Sequence, residues 1–216
     1  MKRYTVKRGG EGKELEAVDF GPAEEGRLEV VRPESALPVP EVRFRVLHDA
    51  ANLYVRFDVK DRYVRSVQTA RHSAVCTDSC VEFFVQPKAG KGYFNIEINA
   101  GGTLLCFYVE DPTRTPAGLA KFTPLSDALC DRIAIKTSLP RTIDPEITEP
   151  TDWQVRYRVP FEVFAAFTGP VDCSVPWRGN FYKGADRTSH PHWMAWSPIT
   201  ALNFHLPACF GELVLA

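Results

Sequence analysis

The sequence predicts an all-β protein, specifically an antiparallel β-sandwich with very little helix. Three observations predict this class: short segments in which apolar and polar residues alternate with period two, Gly- and Pro-containing turns between them, and only one helical pattern. Antiparallel sheets with one dry and one wet face produce such alternation, whereas parallel sheets need strand–helix–strand repeats. We expect one domain over residues 1–216, a length common for single β-sandwiches.

The chain begins with a polar lead-in and a hairpin. Residues 1–40 are polar and end in a Pro-rich stretch, so we expect them to pack along the sandwich as a lead-in segment. Residues 42–47 alternate apolar and charged side chains, a turn follows at 48–52, and residues 53–59 repeat the alternation. This pattern predicts an antiparallel hairpin.

The remaining elements continue the same pattern. Strands are predicted at 80–86 and 93–99, and the turn Gly101-Gly102 leads into a strand at 103–110. Further strands are predicted at 133–136, 153–159, 179–183 and 212–215, with one short helix at 161–167 after Pro160.

Composition and charge exclude several classes of partner. The net charge of −1 does not supply the basic field that nucleic acids require, so no nucleic-acid partner is expected. No apolar stretch reaches the about 20 residues that span a bilayer, and no signal peptide is visible at the start. We expect a cytoplasmic protein if Met1 is native, and a secreted or periplasmic one if a leader has been removed.

The six cysteines and the glycines carry no recognisable catalytic motif. The cysteines lack CxxC or zinc-type spacing and stand among apolar residues, which favours buried thiols. No Gly-x-Ser-x-Gly elbow and no phosphate-binding loop occur. Two enzymatic alternatives stay open: a glycoside hydrolase using Glu82 with Glu97, and a metal-dependent hydrolase using His190, His192 and His205.

Aromatic and hydrogen-bonding residues are concentrated between residues 177 and 211. This stretch contains three tryptophans and three histidines together with Arg178, Asn180, Tyr182, Lys183 and Asp186. Sugar recognition needs a flat ring against the apolar face of a pyranose and planar polar groups around its hydroxyls. The stretch supplies both. We expect Trp153 and at least one of Trp177 and Trp196 to be core residues, which leaves Trp193 as the candidate ring.

An ordered series of motifs resembles the family 9 carbohydrate-binding modules over roughly residues 38–216, closest to the branch often found in bacterial polysaccharide-degrading organisms. The series comprises the segments Asn52-Leu53-Tyr54-Val55-Arg56-Phe57, Asp78-Ser79-Cys80-Val81-Glu82-Phe83-Phe84, Tyr93-Phe94-Asn95-Ile96-Glu97-Ile98-Asn99, Asn180-Phe181-Tyr182-Lys183, His190-Pro191-His192, Trp196-Ser197-Pro198-Ile199 and Asn203-Phe204-His205-Leu206-Pro207, followed by Phe210-Gly211. The resemblance implies a DOMON-like, immunoglobulin-like jelly-roll sandwich and a non-catalytic role in carbohydrate binding, with glycoside hydrolases as possible partners.

In sugar-binding members of this family, two aromatic rings clamp the ligand. The resemblance places the second ring at Phe204 and the first near Val75-Cys76, where Tyr63 or Trp193 could supply the ring instead. The predicted ligand-binding set is Phe204, Trp193, Glu82, Glu97, Asn99, Asn180, Tyr182, Lys183, His192 and His205.

No cofactor is required by these patterns, and calcium is the one candidate that the resemblance suggests. Asp49, Asp58, Asp61 and Asp78 offer oxygen ligands but lack EF-hand spacing. A third functional alternative is an interaction sandwich that has lost sugar binding, because no aromatic residue stands at Val75-Cys76.

Overall fold

Two β-sheets face each other in the computed structural model, which describes residues 1–216. The strands in chain order are β1 (Arg3–Arg8), β2 (Glu25–Arg27), β3 (Val30–Val31), β4 (Glu41–His48), β5 (Asn52–Asp61), β6 (Val64–Ser66), β7 (Cys80–Gln86), β8 (Tyr93–Asn99), β9 (Leu104–Thr115), β10 (Gly118–Pro124), β11 (Ala134–Thr137), β12 (Ile143–Ile147), β13 (Thr151–Pro160), β14 (Trp177–Gly184), β15 (Trp193–Ala195) and β16 (Gly211–Leu215). The helices are α1 (Asp127–Cys130) and α2 (Phe161–Thr168).

The front sheet has the strand order β10-β9-β8-β7-β14-β16-β1, and β15 pairs with the C-terminal end of β14. The back sheet has the order β1-β4-β5-β13-β11, and β2 also pairs with β4. The all-β sandwich prediction is confirmed. The DOMON-like arrangement of its strands stays a prediction.

Strand β1 belongs to both sheets and is parallel to its neighbours in each. Its first residues pair with β16 of the front sheet, and Lys7 and Arg8 pair with β4 of the back sheet. The predicted lead-in segment therefore contributes a strand to each sheet, and the sandwich departs from purely antiparallel pairing at this strand.

The predicted β4–β5 hairpin and the short helix after Pro160 are both present. The predicted strand at 103–110 is longer than expected: β9 continues to Thr115 and returns as β10, which the sequence analysis missed. Gly102 adopts a positive φ of 85° in the turn between β8 and β9, a conformation that glycine tolerates without strain.

The space between the sheets is filled by one large apolar cluster. A column of stacked rings crosses it: Phe44 of β4 lies 3.7 Å from Phe181 of β14, which lies 4.4 Å from Phe83 of β7. Trp153 and Trp177 are also buried, as expected. Because alternate residues of β7, β8 and β14 are used in this core, their other residues face outward from the front sheet.

Candidate functional site

The outward face of the front sheet carries a groove with a volume of about 520 Å³. Strands β7, β8 and β9 form its floor, and its walls are the β9–β10 hairpin, the loop before β7, Trp193 of β15 and the loop at 202–205. Glu82, Glu97, Trp193, Phe204 and His205 all line it. The structure therefore brings together five of the ten residues predicted to contact a ligand.

Glu82 and Glu97 form the floor of the groove as a directly opposed cross-strand pair. Their exposed fractions are only 3% and 6%, and no protein group donates a hydrogen bond to the Glu82 carboxylate. Burial and the neighbouring Glu97 and Asp186 raise the pKa of Glu82 well above its ordinary value. Burial likewise raises the pKa of Glu97 to about 7, against the lowering effect of a hydrogen bond from Asn95. The pair can therefore both accept and donate hydrogen bonds near neutral pH.

Phe204 forms a fixed aromatic surface at one side of the groove. Its ring stacks on Tyr182 at 4.2 Å and 10°, and the Tyr182 hydroxyl donates to the Phe204 carbonyl oxygen. The Nδ1 atom of the adjacent His205 shares a hydrogen bond with the Tyr93 hydroxyl, and burial lowers the pKa of His205 to about 3, so its imidazole is neutral. Tyr182 thus supports the platform from beneath and is itself buried.

Trp193 lies at the same end of the groove, opposite Gly184 in the β14–β15 pair. Its indole Nε1 donates to Asp186 at 2.7 Å, which fixes the ring. Tyr63, the other candidate for the missing ring, stacks on His190 outside the groove at 3.5 Å.

Four of the other predicted contacts are buried and engaged with the protein itself. Asn99 bonds to Gln68, Asp78 and Thr103 in the turn after β8, and Asn180 exchanges two hydrogen bonds with the Ser197 backbone. Lys183 and His192 lie on the core side of the front sheet and contact each other at 2.8 Å. None of these four, nor Tyr182, lines the groove. The structure therefore places these five side chains, which were predicted to contact a ligand, outside the groove lining.

The histidines proposed as metal ligands do not form a cluster. His190 stacks on Tyr63, His192 bonds to Lys183, and His205 bonds to Tyr93. The only group of three close donor atoms of metal-ligating residue types is Cys80, Glu82 and Glu97, whose atoms lie within 4.8 Å of one another.

The aspartates suggested for calcium are likewise separate. Asp49 caps the β4–β5 turn, Asp58 pairs with Arg56, and Asp61 pairs with Lys183. Asp78 accepts from the backbone at Val67 and Gln68 through one oxygen. The four carboxylates do not share a site, so the structure gives the calcium suggestion no support.

Several groove residues were missed by the sequence analysis. Asn95 stands two residues before Glu97 on the same strand face, so the alternation could have placed it in the site. Phe107 lies opposite Asn95 on β9, whereas Arg114 and Phe122 come from the unpredicted part of the β9–β10 hairpin. No sequence pattern signals those two.

Comparisons with known proteins agree with this architecture. The model of carbohydrate-binding family 9 matches residues 15–215. A crystal structure of a candidate carbohydrate-binding protein from Bacteroides uniformis is similar over 100% of this chain and 99% of its own, with 29% identity and a TM-score of 0.88. No curated protein matches the sequence significantly.

Two family 9 carbohydrate-binding module structures from Caldicellulosiruptor kristjanssonii, each 17% identical to this chain, share the fold. The complex with cellotriose has a TM-score of 0.65 and covers 99% of this chain and 93% of its own, and the complex with glucose has a TM-score of 0.63 and covers 100% and 96%. Neither helix of the present chain has the length and apolar character needed to cross a membrane. Because the family model covers nearly the whole sequence, the chain belongs to carbohydrate-binding family 9, a family of non-catalytic modules that bind sugars.

Proposed function

We propose that the groove on the front sheet is the carbohydrate site of this module. The observation that supports it best is the convergence of Glu82, Glu97, Trp193 and Phe204, residues from distant parts of the sequence, on one open groove. Sites of this kind combine apolar surface with a few converging polar groups. Since the family is non-catalytic, the carboxylates are assigned to binding, and the hydrolase hypothesis is set aside.

Each group has a defined role in this proposal. Phe204, which is held against Tyr182, stacks on the apolar face of a pyranose. Trp193 contacts the same sugar from the wall of the groove that β15 forms. Glu82 has no hydrogen-bond partner in the protein, so its carboxyl group is available for hydrogen bonds to sugar hydroxyls. Glu97 keeps its hydrogen bond from Asn95 and binds sugar hydroxyls through the donor and acceptor positions that this bond leaves unused. Arg114, exposed on the hairpin, supplies further donors at the rim.

The ligand class is a poly- or oligosaccharide, and the module would act in support of polysaccharide degradation by glycoside hydrolases. Glucans are the first ligands to test, because two proteins of the same fold were crystallised with cellotriose and glucose. The family resemblance supports the link to hydrolases. A hydrolase assayed on insoluble polysaccharide with and without this module fused to it would test that link.

Calorimetric titration with soluble gluco-, xylo- and manno-oligosaccharides tests the site. Phe204→Ala is expected to weaken binding by about two- to tenfold, since an aromatic stacking contact contributes about 0.5 to 1.5 kcal/mol. Glu82→Ala is expected to weaken it as well, because the hydrogen bonds between the carboxyl group and the sugar hydroxyls are lost.

Tyr63→Ala is the matched control, because Tyr63 is an aromatic residue outside the groove. The sugar affinity of this variant should equal that of the wild type. If the wild-type protein binds none of the sugars, the proposed function is wrong. If it binds them but Phe204→Ala leaves the affinity unchanged, the site lies elsewhere.

A further inference from the structure

A second aromatic surface stands at the end of the groove opposite Phe204. It consists of Phe107 on β9 and Phe122 on β10, whose ring centroids lie 5.0 Å apart at 33°. Phe122 is 38% exposed, one of few large apolar side chains at the surface, and both rings line the groove that contains Glu82 and Glu97. A single exposed apolar residue needs no explanation, but two adjacent rings that line one groove offer a surface on which a ligand can pack.

The Phe107 ring is held in place by its surroundings. His72 lies against it with a centroid distance of 5.4 Å, and His72 is itself fixed by bonds to the Leu125 carbonyl and the Cys106 amide. The Phe107 amide donates to the Asn95 side chain. A ring fixed in this way loses little conformational entropy when a ligand packs against it.

The strand order sets the distance between the two aromatic surfaces. Phe204 lies over β14 through its contact with Tyr182, and β14, β7, β8 and β9 are successive neighbours in the front sheet. Neighbouring strands are spaced by about 4.8 Å, so the strands beneath Phe204 and Phe107 are separated by roughly 14 Å, and Phe122 lies one strand further. A single pyranose ring is much smaller than this separation. One monosaccharide therefore cannot contact both surfaces.

Between the two surfaces, the groove is lined by hydrogen-bonding groups. Glu82 and Glu97 occupy its floor, and Arg114 reaches from the hairpin toward Asn203, with its Nη2 3.4 Å from the Asn203 Oδ1. Alternating apolar and polar surface along a groove suits a chain of pyranoses, each of which presents an apolar face and a ring of hydroxyls.

We propose that Phe107 and Phe122 form a second sugar subsite, so that the groove selects an oligosaccharide long enough to reach from Phe204 to Phe122. This inference rests on the proposed function, since it extends the same groove. Phe122 is then the residue that determines chain-length preference, and Phe107 with His72 is its support.

The test is calorimetric titration with the mono-, tri- and hexasaccharide of the series that the wild-type protein binds, beginning with glucose, cellotriose and cellohexaose. The wild-type affinity should rise with chain length. Phe122→Ala should leave the monosaccharide affinity unchanged and reduce the hexasaccharide affinity by about two- to tenfold. Phe204→Ala is the comparison variant, because it should weaken all three ligands.

Phe122 is exposed on a hairpin, so the alanine variant should fold, and its melting temperature verifies this. An affinity that does not rise with chain length, or a Phe122→Ala variant equal to the wild type for the hexasaccharide, would overturn the second subsite while leaving the proposed function intact. A wild-type protein that binds no member of any series contradicts the proposed function itself.

Discussion

Two carboxylates on the floor of the groove dominate the chemistry at the residue scale. Glu82 and Glu97 are nearly excluded from solvent, and only Glu97 has a hydrogen-bond donor nearby. Ionising both would place two negative charges in one poorly solvated space. The pair therefore holds a proton more tightly in the folded protein than in the unfolded chain, and the folded state is less stable where both are charged.

The first prediction follows from the sign of these shifts. The ordinary pKa of 4.5 applies in the unfolded chain, and the folded-state pKa of Glu97 is about 7. The destabilisation is therefore absent below pH 4.5, grows as the pH rises, and is complete above the folded-state pKa. Burial and the neighbouring Glu97 raise the pKa of Glu82 as well, so Glu82→Gln should raise the free energy of unfolding at pH 8 and change it little at pH 4.5.

Urea unfolding of both proteins at the two pH values measures this difference. Glu149→Gln, at an exposed glutamate, is the matched control and should have no effect at either pH. A Glu82→Gln variant that is less stable than the wild type at pH 8 would show that ionisation of Glu82 does not destabilise the folded state.

Side-chain alternation predicted some site residues and explains why others were assigned incorrectly. Glu82 and Glu97 alternate with the core residues of β7 and β8, so their outward position follows from sequence. Lys183 shares the inward face with Phe181, and the same alternation could have excluded it. Asn180 does face outward, but a distant loop covers it through Ser197, which no local pattern reveals.

At the scale of elements, an ion pair joins the two sheets. Lys183 of β14 and Asp61 at the end of β5 are 3.4 Å apart, with side-chain exposures of 0% and 1%. Lys183 also donates to Nε2 of His192, whose pKa is lowered to about 3 by burial and the adjacent Lys183 charge. The Trp153 indole donates to Asp61. A buried ion pair of this kind contributes little net stability, but removing only one of its two charges lowers the free energy of unfolding strongly.

The second prediction concerns this pair. Asp61→Asn should lower the free energy of unfolding by about 3 to 5 kcal/mol, because the Lys183 ammonium would remain buried without a counter-charge. Adding Lys183→Met should recover much of that loss, since both charges are then absent. Urea unfolding of the two single variants and the double variant measures the coupling. Additive losses would contradict a direct interaction between these side chains.

The β9–β10 hairpin marks the limit of what strand patterns predict. Only the first part of β9 was predicted. The rest of β9 together with β10 forms a largely exposed part of the hairpin, which has no apolar alternation to signal it. Because this part carries Arg114 and Phe122, one wall of the groove could not be derived from sequence. The interior strands were predicted closely because burial on one face imposes the period-two pattern.

At the scale of the whole molecule, β1 connects the two sheets. Tyr4 and Val6 are buried in the core between them. The Tyr4 hydroxyl accepts from the Val46 amide and donates to the Glu24 carbonyl. Its parallel pairing with strands of both sheets was not predicted, because strand partners distant in sequence leave no local pattern.

The third prediction tests this connection. Tyr4→Ala should lower the free energy of unfolding by about 3 to 5 kcal/mol through the loss of a large buried aromatic side chain. Tyr4→Phe removes only the hydroxyl and should cost about 1 to 3 kcal/mol, because the Val46 amide loses its acceptor. Urea unfolding ranks the two variants. Equal stability of Tyr4→Ala and the wild type would show that β1 is not needed to hold the sheets together.

The pairing of β1 with β16 has a kinetic consequence. Arg3 lies beside Glu212, so this contact closes a loop of about two hundred residues. Contacts between such distant positions form late and slowly, because the entropy of loop closure opposes them until the intervening chain is ordered. A refolding protein should therefore pass through a stage in which the hairpins have formed but β1 has not yet paired with β4 and β16. At that stage the unpaired edges of β4 and β16 can pair with strands of other copies of the chain.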